Sequence, residues 1–136
     1  MASAKEEAQR EELIRILGDR LGRSETCAEI VDAYEEMLAS LRDVTSSILG
    51  DDGTDVVLRR SIRLASRDFP LLEKIQARKG DVDFSGLREH VERVGCDPPE
   101  VFDALVQVTL AFFQVLWDLS GDVVAGLLLH RLDKPR

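Results

Sequence analysis

Residues 97–119 read Asp97-Pro98-Pro99-Glu100-Val101-Phe102-Asp103-Ala104-Leu105-Val106-Gln107-Val108-Thr109-Leu110-Ala111-Phe112-Phe113-Gln114-Val115-Leu116-Trp117-Asp118-Leu119, and they decide the fold. A capping aspartate, proline in the first turn and an acid near the positive end open a helix. Val101, Leu105, Val108, Phe112, Val115 and Leu119 recur at spacings of 4-3-4-3-4, the seam by which one helix faces another. Phe102, Ala104, Val106, Leu110, Ala111, Phe113, Leu116 and Trp117 make most of the remaining circumference apolar as well. Asp103, Gln107, Gln114 and Asp118 form the polar stripe, an arc of about 60° at 100° per residue. A helix so nearly apolar all round is either the central member of a bundle or shared between subunits. The second reading is favoured, because a single chain of this length seldom wraps one helix so fully, and the expected assembly is a homodimer. Phe102, Leu105, Phe112, Phe113, Leu116 and Trp117 then form the dimer interface, or line a pocket for an apolar ligand between helices.

Working outward, the same apolar run continues to Leu129, which raises the question of a membrane span. Asp118 and Asp122 lie near the middle of Leu110–Leu129. Each aspartate there costs about 2.5–3.5 kcal/mol of insertion energy, against roughly 0.5 returned per leucine. The expectation is a buried helix with a kink or restart at Ser120-Gly121-Asp122, and no membrane. Asp118 and Asp122 stand at i and i+4 with Gln114 one turn earlier, a pair that could raise a pKa or recruit a cation. Helical di-metal sites, however, add histidines from other helices, and no Glu-x-x-His occurs here. The structural role is adopted, with no metal and no cofactor expected.

Upstream, the pattern is helical throughout. Leu13, Ile14, Leu17 and Leu21 recur in a first helix over Lys5–Leu21, with residues 1–8 expected to fray, and Gly22 supplies a stop. Thr26-Cys27-Ala28-Glu29 is a capping box opening a second helix. That helix turns Ile30, Ala33, Tyr34, Met37, Leu38, Leu41, Val44, Ile48 and Leu49 inward until Gly50-Asp51-Asp52-Gly53 breaks it. A third helix runs from about Thr54 to Ser66, and Pro70 opens a short restart ending at Gly80. Asp81-Val82-Asp83-Phe84 alternates like a strand, but it is short and has no evident partner, so it reads as a loop. Leu87, Val91 and Val94 mark a further short helix ending at Gly95. The expected fold is all-α: one domain over residues 1–136, a bundle of five to six helices with a long hydrophobic C-terminal helix.

Charge and cysteine content narrow the function. The chain has 136 residues, 18 basic and 26 acidic side chains and a formal charge of −8, which opposes nucleic acid and anionic membrane as partners. Cys27 and Cys96 lie in no CxxC or Cys/His pattern, so two reduced thiols are expected. The N-terminal segment carries no apolar export core, and a cytoplasmic location is expected.

One local reversal of charge stands out. Arg59, Arg60, Arg63 and Arg67 fall within an arc of about 100° on a helix, opposite Val57, Leu58, Ile62, Leu64 and Ala65. Guanidinium groups at that spacing can grip an acidic protein face or a small anionic ligand through forked hydrogen bonds. The competing reading is a solvated face paired with Glu35, Glu36 or Asp43. No stacking aromatics interleave with the arginines, as single-stranded nucleic acid would require. His90 lies on a helix but lacks the following Lys-Gly of histidine phosphotransfer domains: Val91, Glu92 and Arg93 stand there instead. His130 with Arg131 suits a helix C-terminus. Serine-nucleophile, phosphate-loop and zinc-protease motifs are absent. The expectation is a small non-enzymatic interaction or regulatory domain, with the four arginines as contact face; the alternative is a small-molecule sensor.

Overall fold

The computed structural model describes residues 4–78 and 80–133. Five helices pack together: α1 (Ala4–Leu21), α2 (Cys27–Ser66), α3 (Ser85–Val94), α4 (Pro98–Ser120) and α5 (Asp122–Asp133). A 3-10 turn (Pro70–Lys74) and a two-stranded antiparallel hairpin, β1 (Gln76–Arg78) and β2 (Asp81–Asp83), lie between α2 and α3.

The central member is α4. Val101, Leu105, Val108, Phe112 and Val115 of its seam are buried, as are Ala104, Val106, Leu110, Phe113, Leu116 and Trp117. Helices α1, α2 and α5 of the same chain cover it, with α2 making the largest contact. The helix is long and apolar enough to span a bilayer, yet 67% of its most apolar window is buried against its own chain. The run also breaks at Gly121 (φ 71°), where α5 turns back onto the bundle. Asp103, Gln107 and Asp118 of the polar stripe are exposed and Gln114 is half-buried.

The expected break after the second helix is a kink. Gly50 adopts φ 82° and ψ 164°, a left-handed backbone that glycine enters without a Cβ penalty, and helical geometry resumes at once. The later helix therefore begins before Thr54, and α2 bends around α4 instead of ending. Its start is as the sequence predicts: Glu29 N–H donates to Thr26 Oγ1 at 3.2 Å and Thr26 N–H to Glu29 Oε1 at 3.1 Å. Asp97 caps α4 by position only, since its side chain makes no capping bond.

Several expectations need correction. Asp81–Asp83 is a strand, paired with Gln76–Arg78 in the register Gln76 to Asp83, Ala77 to Val82 and Arg78 to Asp81. Its partner was hidden because Gln76-Ala77-Arg78 is three residues long and has no β-branched or aromatic side chain. Residues 4–8 are helical: Lys5 Nζ approaches Asp122 Oδ2 at 3.6 Å, while residues 1–3 lie outside the described residues. Ile14, Ile48 and Val94 face outward. Ile16 and Thr45 take inward places instead, because the true helix phase follows the packing of neighbours and not the nearest apolar residue.

Cys27 and Cys96 form a disulfide, with Cα atoms 6.5 Å apart, within the usual span for such a bond. This overturns the expectation of two reduced thiols. The first turn of α2 and the α3–α4 connection meet only in the folded chain, 69 positions apart in sequence. No local spacing could signal it. The link also removes the thiol argument for a cytoplasmic location.

Candidate functional site

The second half of α2 carries the predicted basic stripe. Val57, Leu58, Ile62 and Ala65 are buried, which fixes the rotation of the helix and turns Arg59, Arg60, Arg63 and Arg67 outward, all four exposed. None of the four has a hydrogen bond or ion pair among the described residues. The acids proposed as counter-ions are elsewhere: Glu35 Oε2 accepts from Arg88 Nη1 at 3.1 Å. By contrast Arg15, Arg42, Arg78, Arg88 and Arg93 each stand within 4 Å of a carboxylate. Val56, 62% exposed, lies at the centre of the arginine arc by helical angle. The site is thus a cationic ridge with an apolar residue at its head.

The aromatic set is placed differently from the interface reading. Leu105, Phe112, Phe113, Leu116 and Trp117 are buried inside the single chain, and Phe102 is half-buried. The rings pack on one another: Phe112 to Phe113 and Phe113 to Trp117 each have centroids 6.1 Å apart, the second pair edge-on. Trp117 Nε1 donates to Gln9 Oε1 at 2.8 Å, and the Arg10 guanidinium lies 5.4 Å from the ring centroid. These contacts hold α1 to α4.

Asp118 and Asp122 join the same seam. Asp118 Oδ1 accepts from Gln114 Nε2 at 3.1 Å, and Gln114 Oε1 accepts from Arg10 Nη2 at 2.8 Å. The Asp122 backbone carbonyl accepts from Gln9 Nε2 at 3.1 Å. Among the described residues no group of three or more His, Cys, Asp or Glu side chains is placed to hold a metal ion. His90 is half-buried beside Cys96 in a small cleft with Glu100, while His130 is exposed in the last turn of α5.

Compared with known protein families, curated proteins and solved structures, the chain matches none. Function is therefore argued from its own geometry.

That geometry contains a feature the sequence reading missed. Asp55, 5% exposed, accepts from the Gly80 backbone N–H at 2.9 Å and lies 3.8 Å from Arg42 Nη2. The three residues come from both halves of α2 and from the hairpin, so only the kink and the strand pairing assemble them. The one available signal was an aspartate on the apolar side of a helix.

Proposed function

We propose that this chain is a small non-enzymatic interaction or regulatory domain that docks an acidic face of a partner protein on Arg59, Arg60, Arg63 and Arg67. The observation that supports it is four exposed guanidinium groups on one helix face with no counter-ion among the described residues, in a chain that carries −8 overall. Arg59 with Arg63 and Arg63 with Arg67 are i,i+4 like-charge pairs, each unfavourable by about 0.2–0.5 kcal/mol. No carboxylate among the described residues pairs with them to offset that repulsion. Partner carboxylates would, through forked bonds that also fix orientation. The acidic remainder of the chain does not forbid approach, because charges farther away than about 8 Å are largely screened at physiological salt.

The apolar-ligand reading gains no separate support, since the rings that would line the pocket fill that space themselves. The seam of α4 is covered within the chain except at Leu119, which with Val123 and Leu127 is among the exposed apolar side chains on which a homodimer could form.

The test is in-cell crosslinking followed by quantitative mass spectrometry, comparing the wild type with the R59E/R60E/R63E/R67E variant. The expected result is a partner captured only by the wild type, whose binding weakens as salt rises. Retention of every partner by the reversed variant, with its fold intact by circular dichroism, sinks the proposal.

A further inference from the structure

A cavity of about 360 Å³ opens between the first half of α2, strand β2 and the start of α3, at the lower end of the range for small-molecule sites. Glu35, Leu38 and Arg42 line it from successive turns of α2, and Asp81, Val82 and Arg88 from the other side. The charges around it are not equivalent. Arg88 is held by three bonds: its Nε and Nη2 donate to Asp32 Oδ1 at 3.1 and 2.7 Å, and its Nη1 to Glu35 Oε2 at 3.1 Å. Asp83 accepts from the Ser85 amide at 2.9 Å and from its hydroxyl at 2.6 Å.

Arg42 differs. Its side chain is 22% exposed and its nearest carboxylate oxygen is 3.8 Å away, an ion pair too long for a hydrogen bond. Its Nε is enclosed and has no acceptor. A guanidinium has five N–H donors, and among the described residues none of these finds a partner. Nε is sealed off from the cavity, so an entering carboxylate meets the Nη1 and Nη2 edge, whose N–H donors have no hydrogen-bond acceptor among the described residues. Asp81 on the opposite wall is exposed and likewise has no ion pair or hydrogen bond among the described residues.

Once the Glu35–Arg88 pair and the Ser85-bonded Asp83 are set aside, the charges that face the cavity among the described residues are Arg42, held only by its long pair with Asp55, and Asp81, over an apolar floor from Leu38 and Val82. A polyanion suits this poorly. We propose that the cavity binds a small zwitterion of amino-acid type, its carboxylate forked on Arg42, its ammonium towards Asp81 and its aliphatic part on Leu38 and Val82. This is independent of the arginine stripe, which lies on the later half of α2.

The experiment adds each of the twenty proteinogenic amino acids separately to the full chain, following melting temperature and amide resonances by NMR. At least one should raise the melting temperature in a concentration-dependent way and shift amides within 38–42 and 82–88. Its carboxamide analogue should bind the wild type about tenfold or more weakly, as should the acid itself to R42Q. D81N, whose side chain makes no hydrogen bond or ion pair among the described residues, should weaken binding too, and R23Q, at an exposed position between α1 and α2, should leave it unchanged. No response to any amino acid overturns the proposal, as does equal binding of the carboxamide. A response to inorganic phosphate alone, lost in R42Q, overturns the zwitterion assignment as well.

Discussion

Tyr34 Oη and Thr109 Oγ1 lie 2.9 Å apart in the dry layer between α2 and α4, both essentially fully buried. Thr109 also donates to the Leu105 carbonyl at 3.2 Å, so the two hydroxyls share one chain of bonds that fixes the register of the two largest helices. Burial pushes the Tyr34 phenol well above its ordinary value, and the bond with Thr109 offsets this only in part. In the unfolded chain the phenol ionises near pH 10, while the folded one stays neutral. Stability is therefore fully present below about pH 10 and falls as pH rises above it. Tyr34→Phe should remove most of that alkaline loss, while Thr109→Val, which strands a buried hydroxyl, should cost about 1–3 kcal/mol at neutral pH. Urea unfolding at pH 7 and pH 11 checks both.

The Cys27–Cys96 bond ties the first turn of α2 to the entry of α4 across 69 positions. Closing a loop of that order stabilises a fold by about 2–4 kcal/mol through the unfolded state. Reduction, or Cys27→Ser with Cys96→Ser, should lower stability by that amount and leave the helical content intact. Denaturant titration with and without reductant measures it, and a pair of unchanged midpoints would contradict the bond.

Asp83 starts α3 from outside the helix. The Ser85 hydroxyl and then the Ser85 amide hold its carboxyl below the ordinary value, with Arg78 adding to the effect. Its contribution to stability is present above the unfolded pKa of about 3.9 and is lost as pH falls through the lower folded value. Ser85→Ala removes the larger cause, so the Asp83 carboxyl should titrate closer to the ordinary value. Carboxyl-detected NMR between pH 2 and 6 reads the change at that one side chain.

Two helix glycines should respond oppositely to alanine. A Cβ on Gly18 meets nothing within 4 Å, whereas one on Gly86 falls 2.7 Å from the Lys74 carbonyl oxygen. Gly18→Ala should therefore stabilise by about 0.5–1 kcal/mol through reduced unfolded-state freedom. Gly86→Ala should destabilise, because α3 must move off the 3-10 turn to admit the methyl group. Thermal melts of the two variants give opposite signs if the close approach is real.

Much of the architecture is written in local pattern. The 4-3 spacing of Val101 to Val115, the Thr26–Glu29 box and the glycines at 50, 95 and 121 mark helices and their ends, because propensity and capping act within a few residues. The orientation of Arg59, Arg60, Arg63 and Arg67 follows from the same logic: Leu58 and Ile62 must face the core, so the arginines cannot. By contrast, Gln76-Ala77-Arg78 is too short and too poor in β-branched or aromatic residues to be read as a strand, and becomes one beside Asp81–Asp83.

The sequence by itself thus determined a mostly helical chain, a nearly all-apolar central helix and one outward basic stripe. Tertiary structure decided what covers that helix, which cysteines meet, and where Arg42, Asp55 and Gly80 come together. The division has a physical cause. Helix periodicity is set by hydrogen bonds four residues apart, whereas a disulfide, a hairpin partner or a cavity wall depends on which distant surfaces are buried together, and no short stretch of chain carries that choice.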